Sequence, residues 1–107
     1  MKIDSVKENV NFRRAYHQGK SFHAPLMSVY WRKNRMDKRR LGITVSKKLG
    51  NAPTRNRVSR IIRAAVHSCY DLLPENCEII IVARSALVKC KSTDVERVLR
   101  DRFEKDN

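Results

Sequence analysis

Residues 47–63 read KKLGNAPTRNRVSRIIR, and this segment decides the fold because it joins the end of a predicted strand to a long predicted helix. Gly50 and Pro53 favour a tight turn between the two elements. Either Asn51 or Thr54 has the side-chain oxygen needed to cap the helix that follows. The segment therefore predicts a strand, a short basic loop and a helix in direct succession.

The helix predicted over residues 54–73 has two chemically different faces. One face is apolar and consists of Val58, Ile61, Ile62, Ala65, Cys69 and Leu72. The opposite face carries Asn56, Arg60, Arg63 and His67, with Arg57 at its margin. Such arginines are usually a solvated helix face, but no Asp or Glu occurs between residues 38 and 70 to balance them. We therefore predict a phosphate-binding surface formed by the helix and its preceding loop. Without RNA, inorganic anions are expected to occupy the loop.

The charge of the 107-residue chain is unevenly distributed. Residues 32–63 contain twelve basic and one acidic side chain, whereas residues 64–107 contain seven basic and eight acidic ones. A basic block beside a neutral remainder is typical of a nucleic-acid-binding surface. The length predicts a single domain over residues 1–107.

Cysteine and hydropathy patterns narrow the functional classes further. The cysteines, Cys69, Cys77 and Cys90, have no metal-binding spacing, and the histidines do not complete a zinc pattern. We expect reduced thiols and no metal bound by the protein. The sequence has neither an export signal nor a membrane-spanning apolar stretch, so we expect a cytoplasmic protein.

The remaining segments predict the other elements of one domain. A capping-box pattern opens a helix over residues 5–19, and alternation predicts strands over 26–33 and 41–46 that form an antiparallel hairpin. The apolar run at 78–84 predicts a central strand, parallel to the strand before the long helix. A last helix is predicted over 93–103. The order αββαβα predicts a two-layer α+β sandwich.

The first helix and the first predicted strand also raise the possibility of a groove for single-stranded RNA. Phe12 and Tyr16 are one helical turn apart, and Tyr30 lies on the outward face of its strand. These rings would stack bases, while nearby cations follow the phosphates: Arg13, Lys20 and Arg32. Phe12 and Tyr16 are equally consistent with ordinary core residues, and their spacing leaves both readings open.

The stretch TVSKKLGNAPTRNRVSRIIRAA, residues 44–65, resembles the signature of the protein subunit of bacterial ribonuclease P. That ribonucleoprotein removes 5′ leaders from precursor tRNA. The resemblance covers roughly residues 8–104 and includes the apolar strand that ends in Ala83 and Arg84, together with Phe12, Tyr16, Gly19 and Ser21. Pro53 and Thr54 depart from it, because the family commonly has aliphatic residues there.

The resemblance implies a fold and a division of roles. It implies a left-handed βαβ crossover, against the usual right-handed rule. It implies that the catalytic RNA is bound by Lys47, Lys48, Asn51, Arg55, Asn56, Arg57, Arg60 and Arg63. It implies a cleft for the leader of precursor tRNA that contains Phe12, Arg13, Tyr16, Lys20, Tyr30 and Arg32. The RNA subunit would perform the hydrolysis with Mg²⁺ bound mainly by RNA, and the protein would be a non-catalytic subunit.

Two other functional classes fit parts of the sequence. A structural RNA-binding protein, such as a ribosomal protein, would explain the basic block without needing an aromatic groove. A self-sufficient nuclease would need clustered carboxylates or a histidine base. Asp37 is the only acidic residue between residues 9 and 70, which disfavours the nuclease.

Overall fold

The computed structural model describes residues 4–5, 19–34 and 38–104. These residues form a five-stranded sheet and two α-helices. The strands are β1 (Asp4–Ser5), β2 (Lys20–His23), β3 (Met27–Lys33), β4 (Arg40–Thr44) and β5 (Cys77–Ala83), and the helices are α1 (Ala52–Ser68) and α2 (Ser92–Glu104). Short 3-10 turns lie at Lys47–Leu49, Tyr70–Leu72 and Ser85–Lys89. The helix predicted over residues 5–19 falls almost entirely outside the described residues, and Ser5 itself belongs to β1.

The strands lie in the order β1-β4-β5-β3-β2, so β5 separates β3 from β4. β5 pairs antiparallel with β3 and parallel with β4. The predicted hairpin between the strands at 26–33 and 41–46 is therefore wrong. The predicted parallel βαβ unit is confirmed, because β4, α1 and β5 follow each other and the two strands are parallel. The hand of this crossover stays a prediction.

The central position of β5 follows from its composition, CEIIIVA. Ile79 and Ile81 belong to the main core, and Ile80 is fully buried on the opposite face of the sheet. Burying an isoleucine contributes about 1.5–3 kcal/mol, so a strand that buries isoleucine on both faces is most stable between two other strands. The prediction of a central strand is confirmed, and the need to cover β5 on both edges explains why β3 and β4 do not pair.

Both described helices pack on one face of the sheet. α1 buries Val58, Ile62, Ala65 and Val66, and α2 buries Val95, Leu99 and Phe103. They join the sheet residues of the main core, which include Met27, Val29, Trp31 and Leu41. The two-layer α+β architecture is thereby confirmed. α1 ends at Ser68, earlier than predicted, because the chain turns at Cys69 into the 3-10 turn Tyr70–Leu72.

The strand β2 was not predicted from the sequence. It forms a hairpin with β3, in which the backbone N–H of Ala24 donates to the carbonyl of Met27 at 2.8 Å. β2 has four residues, KSFH, and Phe22 is its one aromatic anchor. The Phe22 ring packs edge-on against Trp31 and Phe103, with centroids 6.0 and 5.8 Å away. A segment this short shows too little alternation to identify a strand.

Arg100 ties the two helices together at the surface. Its Nε donates to Glu96 Oε2 at 2.6 Å, and its Nη2 donates to the backbone carbonyl of Ser68 at 2.9 Å. Ser68 is the last residue of α1, so the guanidinium satisfies a carbonyl that the helix leaves unpaired. Within the described residues, neither helix is long and apolar enough to cross a membrane.

The three thiols should differ in reactivity. All are free; Cys69 and Cys77 are buried, whereas Cys90 is half-buried. Burial raises the pKa of the Cys69 thiol to about 11, and it also raises the pKa of Cys77. Because the thiolate is the nucleophile, we expect a maleimide at neutral pH to modify Cys90 first in the native protein. Mass spectrometry of digested samples measures this, with fully denatured protein as the control. Similar native rates at all three positions would contradict the described packing.

Candidate nucleic-acid interface

The segments that follow β4 and β5 leave the sheet at the same edge, because the two strands are parallel. β4 leads through the 3-10 turn Lys47–Leu49 into α1. β5 leads through Arg84 into the 3-10 turn Ser85–Lys89. The two turns contact each other, and both contact α1. We call this end of the domain, residues 46–60 together with 84–91, the cationic edge.

The start of α1 is fixed by its sequence. Asn51 is the N-cap, and its Oδ1 accepts a hydrogen bond from the backbone N–H of Thr54 at 3.0 Å. Of the two predicted cap residues, the structure therefore uses Asn51. Pro53 occupies the first turn, where its fixed φ suits a helix and its missing N–H costs little. Gly50 has φ of 143°, a backbone conformation that other residues rarely adopt.

Most backbone donors of this loop are already used within it. The N–H of Leu49 donates to Ser46 at 3.1 Å, and that of Gly50 donates to Lys47 at 3.3 Å. The N–H of Thr54 donates to the Asn51 cap. These groups do not form the backbone anion nest that the sequence predicted. An anion at this loop would therefore be held mainly by side chains.

The predicted cations are largely exposed at this edge and along α1. Exposed residues are Lys47, Lys48, Asn51, Asn56, Arg57, Arg60 and Arg63. Arg55 is only half-exposed, and its Nε is enclosed without a hydrogen-bond partner in the described part of the chain. No acidic residue occurs in the loop or in α1, so the positive potential of this surface is not neutralised locally.

Arg57 differs from the other arginines of this group. Its Nη1 donates to the carbonyl of Val88 at 2.8 Å, and its Nη2 donates to the carbonyl of Cys90 at 3.1 Å. The side chain therefore connects α1 to the segment that follows β5. It is exposed, but both ends of its guanidinium fork are engaged with backbone.

The sequence analysis missed three cations at the cationic edge: Arg84, Lys89 and Lys91. All three are exposed, and no acidic residue lies between them in the sequence. The Arg84 side chain donates to the carbonyl of Ala24 at 3.3 Å, which joins this segment to the β2–β3 turn. These residues are far in sequence from residues 47–63, so only the parallel pairing of β4 and β5 reveals that they share an edge.

The strand register separates the residues predicted for the leader cleft. Tyr30 pairs with Ile80, and Arg32 pairs with Glu78, so both lie on the sheet face opposite the helices. We call this the Tyr30 face. Lys20 pairs with Trp31 and therefore starts from the helix-covered face, so the structure does not group it with Tyr30. Phe12, Arg13 and Tyr16 lie outside the described residues.

The Tyr30 face combines an aromatic pair with a charged row. The ring of His23 packs edge-on against Tyr30, with centroids 5.7 Å apart, and its Nδ1 lies 2.8 Å from the hydroxyl of Ser28. His23 was also missed, because β2 was not predicted. In the neighbouring row, Arg40 Nη1 donates to Glu78 Oε1 at 3.1 Å. Glu78 is 4% exposed, and its Oε2 has no hydrogen-bond partner within the described structure.

The floor of the Tyr30 face is formed by small and aliphatic residues. Gly42 pairs with Ile80, and Thr44 pairs with Val82. Tyr30 and Val82 pack against the buried side chain of Ile80. The face thus offers rings, a smooth floor and the half-exposed cation Arg32, which are the elements of a surface that binds single-stranded nucleic acid.

A basic α+β domain with an unbalanced cationic edge and an aromatic sheet face defines a class, the RNA-binding proteins that contact both phosphates and bases. Residues 1–106 match the sequence profile of the Ribonuclease P family. The chain therefore belongs to the ribonuclease P protein family. It is a subunit of an RNA-based endoribonuclease and serves in the 5′ maturation of tRNA.

Individual relatives agree with this assignment. The ribonuclease P protein component of Clostridium acetobutylicum is 36% identical over 107 residues, covering 98% of this chain and 90% of the relative. The solved structure of the Staphylococcus aureus RNase P protein has a TM-score of 0.83 and 32% identity, covering 99% of this chain and 97% of that one. The RNase P protein from Thermotoga maritima has a TM-score of 0.82 at 26% identity, with 95% and 96% coverage.

Replacing Gly50 should destabilise the start of α1. A Cβ at this position would lie 3.1 Å from Thr54 Cγ2, and φ of 143° is strained for alanine. We expect Gly50→Ala to lower the free energy of unfolding by about 1–3 kcal/mol, measured by urea denaturation. Adding Thr54→Ser removes the close methyl but leaves the φ strain, so it should restore only part of the loss. Unchanged stability in Gly50→Ala would contradict this loop geometry.

Proposed function

We propose that the two surfaces of the protein bind different RNAs. The cationic edge and the adjoining face of α1 bind the catalytic RNA of ribonuclease P. The Tyr30 face binds the single-stranded 5′ leader of precursor tRNA. The observation that carries this proposal is the parallel pairing of β4 and β5, which brings cations from two separate segments to one edge without an acidic residue from either.

The cationic edge suits a large, structured polyanion. Its exposed lysines and arginines extend from the 3-10 turn Lys47–Leu49 along α1 to Arg63. Such a surface gains affinity by displacing counterions from several phosphates at once. Arginine forks at Arg60 and Arg63 add bidentate contacts to phosphate oxygens. This assignment includes the residues on which the family resemblance rests, among them Asn51, Arg55 and Asn56.

The Tyr30 face suits an unpaired strand. Unstacked bases bind to exposed rings, and each stacked base contributes about 1–3 kcal/mol. Tyr30 and His23 supply adjacent rings, and Arg32 supplies a cation for the passing backbone. We assign Phe12, Arg13 and Tyr16 to the same cleft from the family resemblance. We leave Lys20 at its margin, because its strand register favours the other face.

We propose that the Mg²⁺ needed for hydrolysis is bound mainly by RNA. No group of three His, Cys, Asp or Glu side chains comes together among the described residues. The buried carboxylate of Glu78 is paired with Arg40, which makes it a poor ligand for a cation. The protein would act by binding and orienting the two RNAs and by reducing the repulsion between their phosphates. The bacterial relatives support the cytoplasm as its place of action, and inorganic anions would occupy part of the cationic edge when RNA is absent.

Reconstitution tests the proposed role of the protein. We expect the purified protein alone to leave precursor tRNA intact. Together with a bacterial ribonuclease P RNA it should support 5′ cleavage at a lower Mg²⁺ concentration than the RNA alone requires, because its charge offsets phosphate repulsion. Gel analysis of a 5′-labelled precursor measures both reactions. Cleavage at the leader junction by rigorously RNA-free protein would overturn the non-catalytic role.

The leader assignment predicts a difference between precursor and mature tRNA. Tyr30→Ala and His23→Ala should each weaken binding of precursor tRNA to the holoenzyme by about 1–3 kcal/mol, through the loss of base stacking. Binding of mature tRNA, which lacks the leader, should stay nearly unchanged. Tyr30→Phe keeps the ring and serves as the matched control, so it should retain most of the affinity. Equal losses for precursor and mature tRNA would contradict the leader assignment.

A further inference from the structure

The contacts of Arg57 set it apart from the other cations assigned to the catalytic RNA. The two terminal nitrogens of its guanidinium donate to the carbonyls of Val88 and Cys90, at 2.8 and 3.1 Å. The 3-10 turn ends between these two carbonyls, at Lys89. Carbonyls at the end of a helical turn lack partners within it, and a planar fork with two parallel donors matches two of them at once.

The segment held by Arg57 is itself strongly basic. Lys89 lies between the two gripped carbonyls, and Lys91 follows immediately. Both are exposed, and the nearby carboxylate of Asp94 already accepts the backbone N–H of Lys91 at 2.9 Å and lies 3.7 Å from Arg97. The turn also lies against Lys47–Leu49. Fixing this segment therefore fixes the place of two further lysines on the cationic edge.

We infer that Arg57 is a positioning residue, and that Lys89 and Lys91 extend the surface that binds the catalytic RNA. Arg57 holds the segment after β5 against α1, and the lysines of that segment contact phosphates. This inference rests on the proposed binding of the catalytic RNA by the cationic edge. It divides the Arg-Asn-Arg motif between Asn56, which is exposed and free to face RNA, and Arg57, whose fork is turned to the protein's own backbone.

Lysine substitution separates positioning from direct phosphate contact. Arg57→Lys keeps the positive charge but cannot grip two carbonyls with one planar fork. If Arg57 met a phosphate directly, lysine would preserve most of the affinity. If it positions Lys89 and Lys91, lysine should be nearly as damaging as alanine. Arg60 lies one turn further along α1 and gives the matched comparison, because Arg60→Lys should preserve most of the binding that Arg60→Ala removes.

The experiment measures the dissociation constant between the full-length protein and a bacterial ribonuclease P RNA over a range of salt concentrations. Each lost phosphate contact should weaken binding about fivefold near physiological salt and reduce the salt slope by roughly 0.7–0.9. We expect Lys89→Ala with Lys91→Ala to lose about two such contacts. Arg57→Lys and Arg57→Ala should each lose a comparable amount. Adding either to the double lysine variant should cause little further loss, because all three changes remove the same contacts.

Clear outcomes oppose the inference. Wild-type affinity in Arg57→Lys would show direct charge contact, and fully additive losses would show independent roles. Unchanged affinity and slope in the double lysine variant would remove Lys89 and Lys91 from the interface. Lys33→Ala removes a cation from the opposite edge of the sheet and controls for non-specific charge loss. Failure of the wild-type protein to bind the RNA would instead count against the proposed function, whereas a weakened Arg60→Ala beside a normal Arg57→Lys would count against this inference alone. Thermal unfolding of each variant confirms that it is folded.

Discussion

The structure depends on the burial of β5 from both sides. Its three consecutive isoleucines serve two faces of the sheet, with Ile79 and Ile81 under the helices and Ile80 on the opposite side. A strand of this kind requires a neighbour on each edge as well as cover on each face. β3 and β4 supply those edges in opposite directions, and the parallel pair with β4 then sends two loops to the same end of the domain. The arrangement of charge thus follows from an apolar requirement.

Charge compensation is distributed unevenly over the domain. On α2, acidic and basic residues alternate, and Arg100 is bonded to Glu96 and to Glu104 at 3.4 Å. At the edge opposite the cationic edge, Arg39 stacks over Tyr70 at 4.4 Å and lies 3.8 Å from Glu75. These cations stabilise the protein itself. The cationic edge has no acidic partner in α1 or in its preceding loop, so its charge is directed outward. The distribution separates structural from binding cations more clearly than the net charge does.

Local patterns in the sequence predicted what depends on local physics. The helix cap at Asn51, the apolar stripe of α1 and the central position of β5 all follow from short-range periodicity or composition, and the structure confirms them. Partner choice between strands was not predictable in the same way. The segments at 26–33 and 41–46 alternate as hairpin strands do, yet β5 inserts between them, because burial of its isoleucines outweighs chain proximity.

The functional surface shows the same division. The cations of residues 47–63 form one run in the sequence, so their grouping was visible at once. Lys89 and Lys91 join them only through the pairing of β4 with β5, and His23 joins Tyr30 only through the four-residue strand β2. The misplacement of Lys20 has the same origin. A shift of one position along a strand moves a side chain to the other face, and the register of an unpredicted strand is unknown.

The closed first turn of α1 has a consequence for the speed of assembly. Asn51 already caps the helix and Pro53 already fixes its backbone, so the helix start exists before any RNA arrives. Only long, exposed side chains need to reorient on encounter. We therefore expect association at this surface to be governed by diffusion under electrostatic attraction, without a slow folding step at the helix start. Affinity for related RNAs would then differ mainly in how long each complex persists.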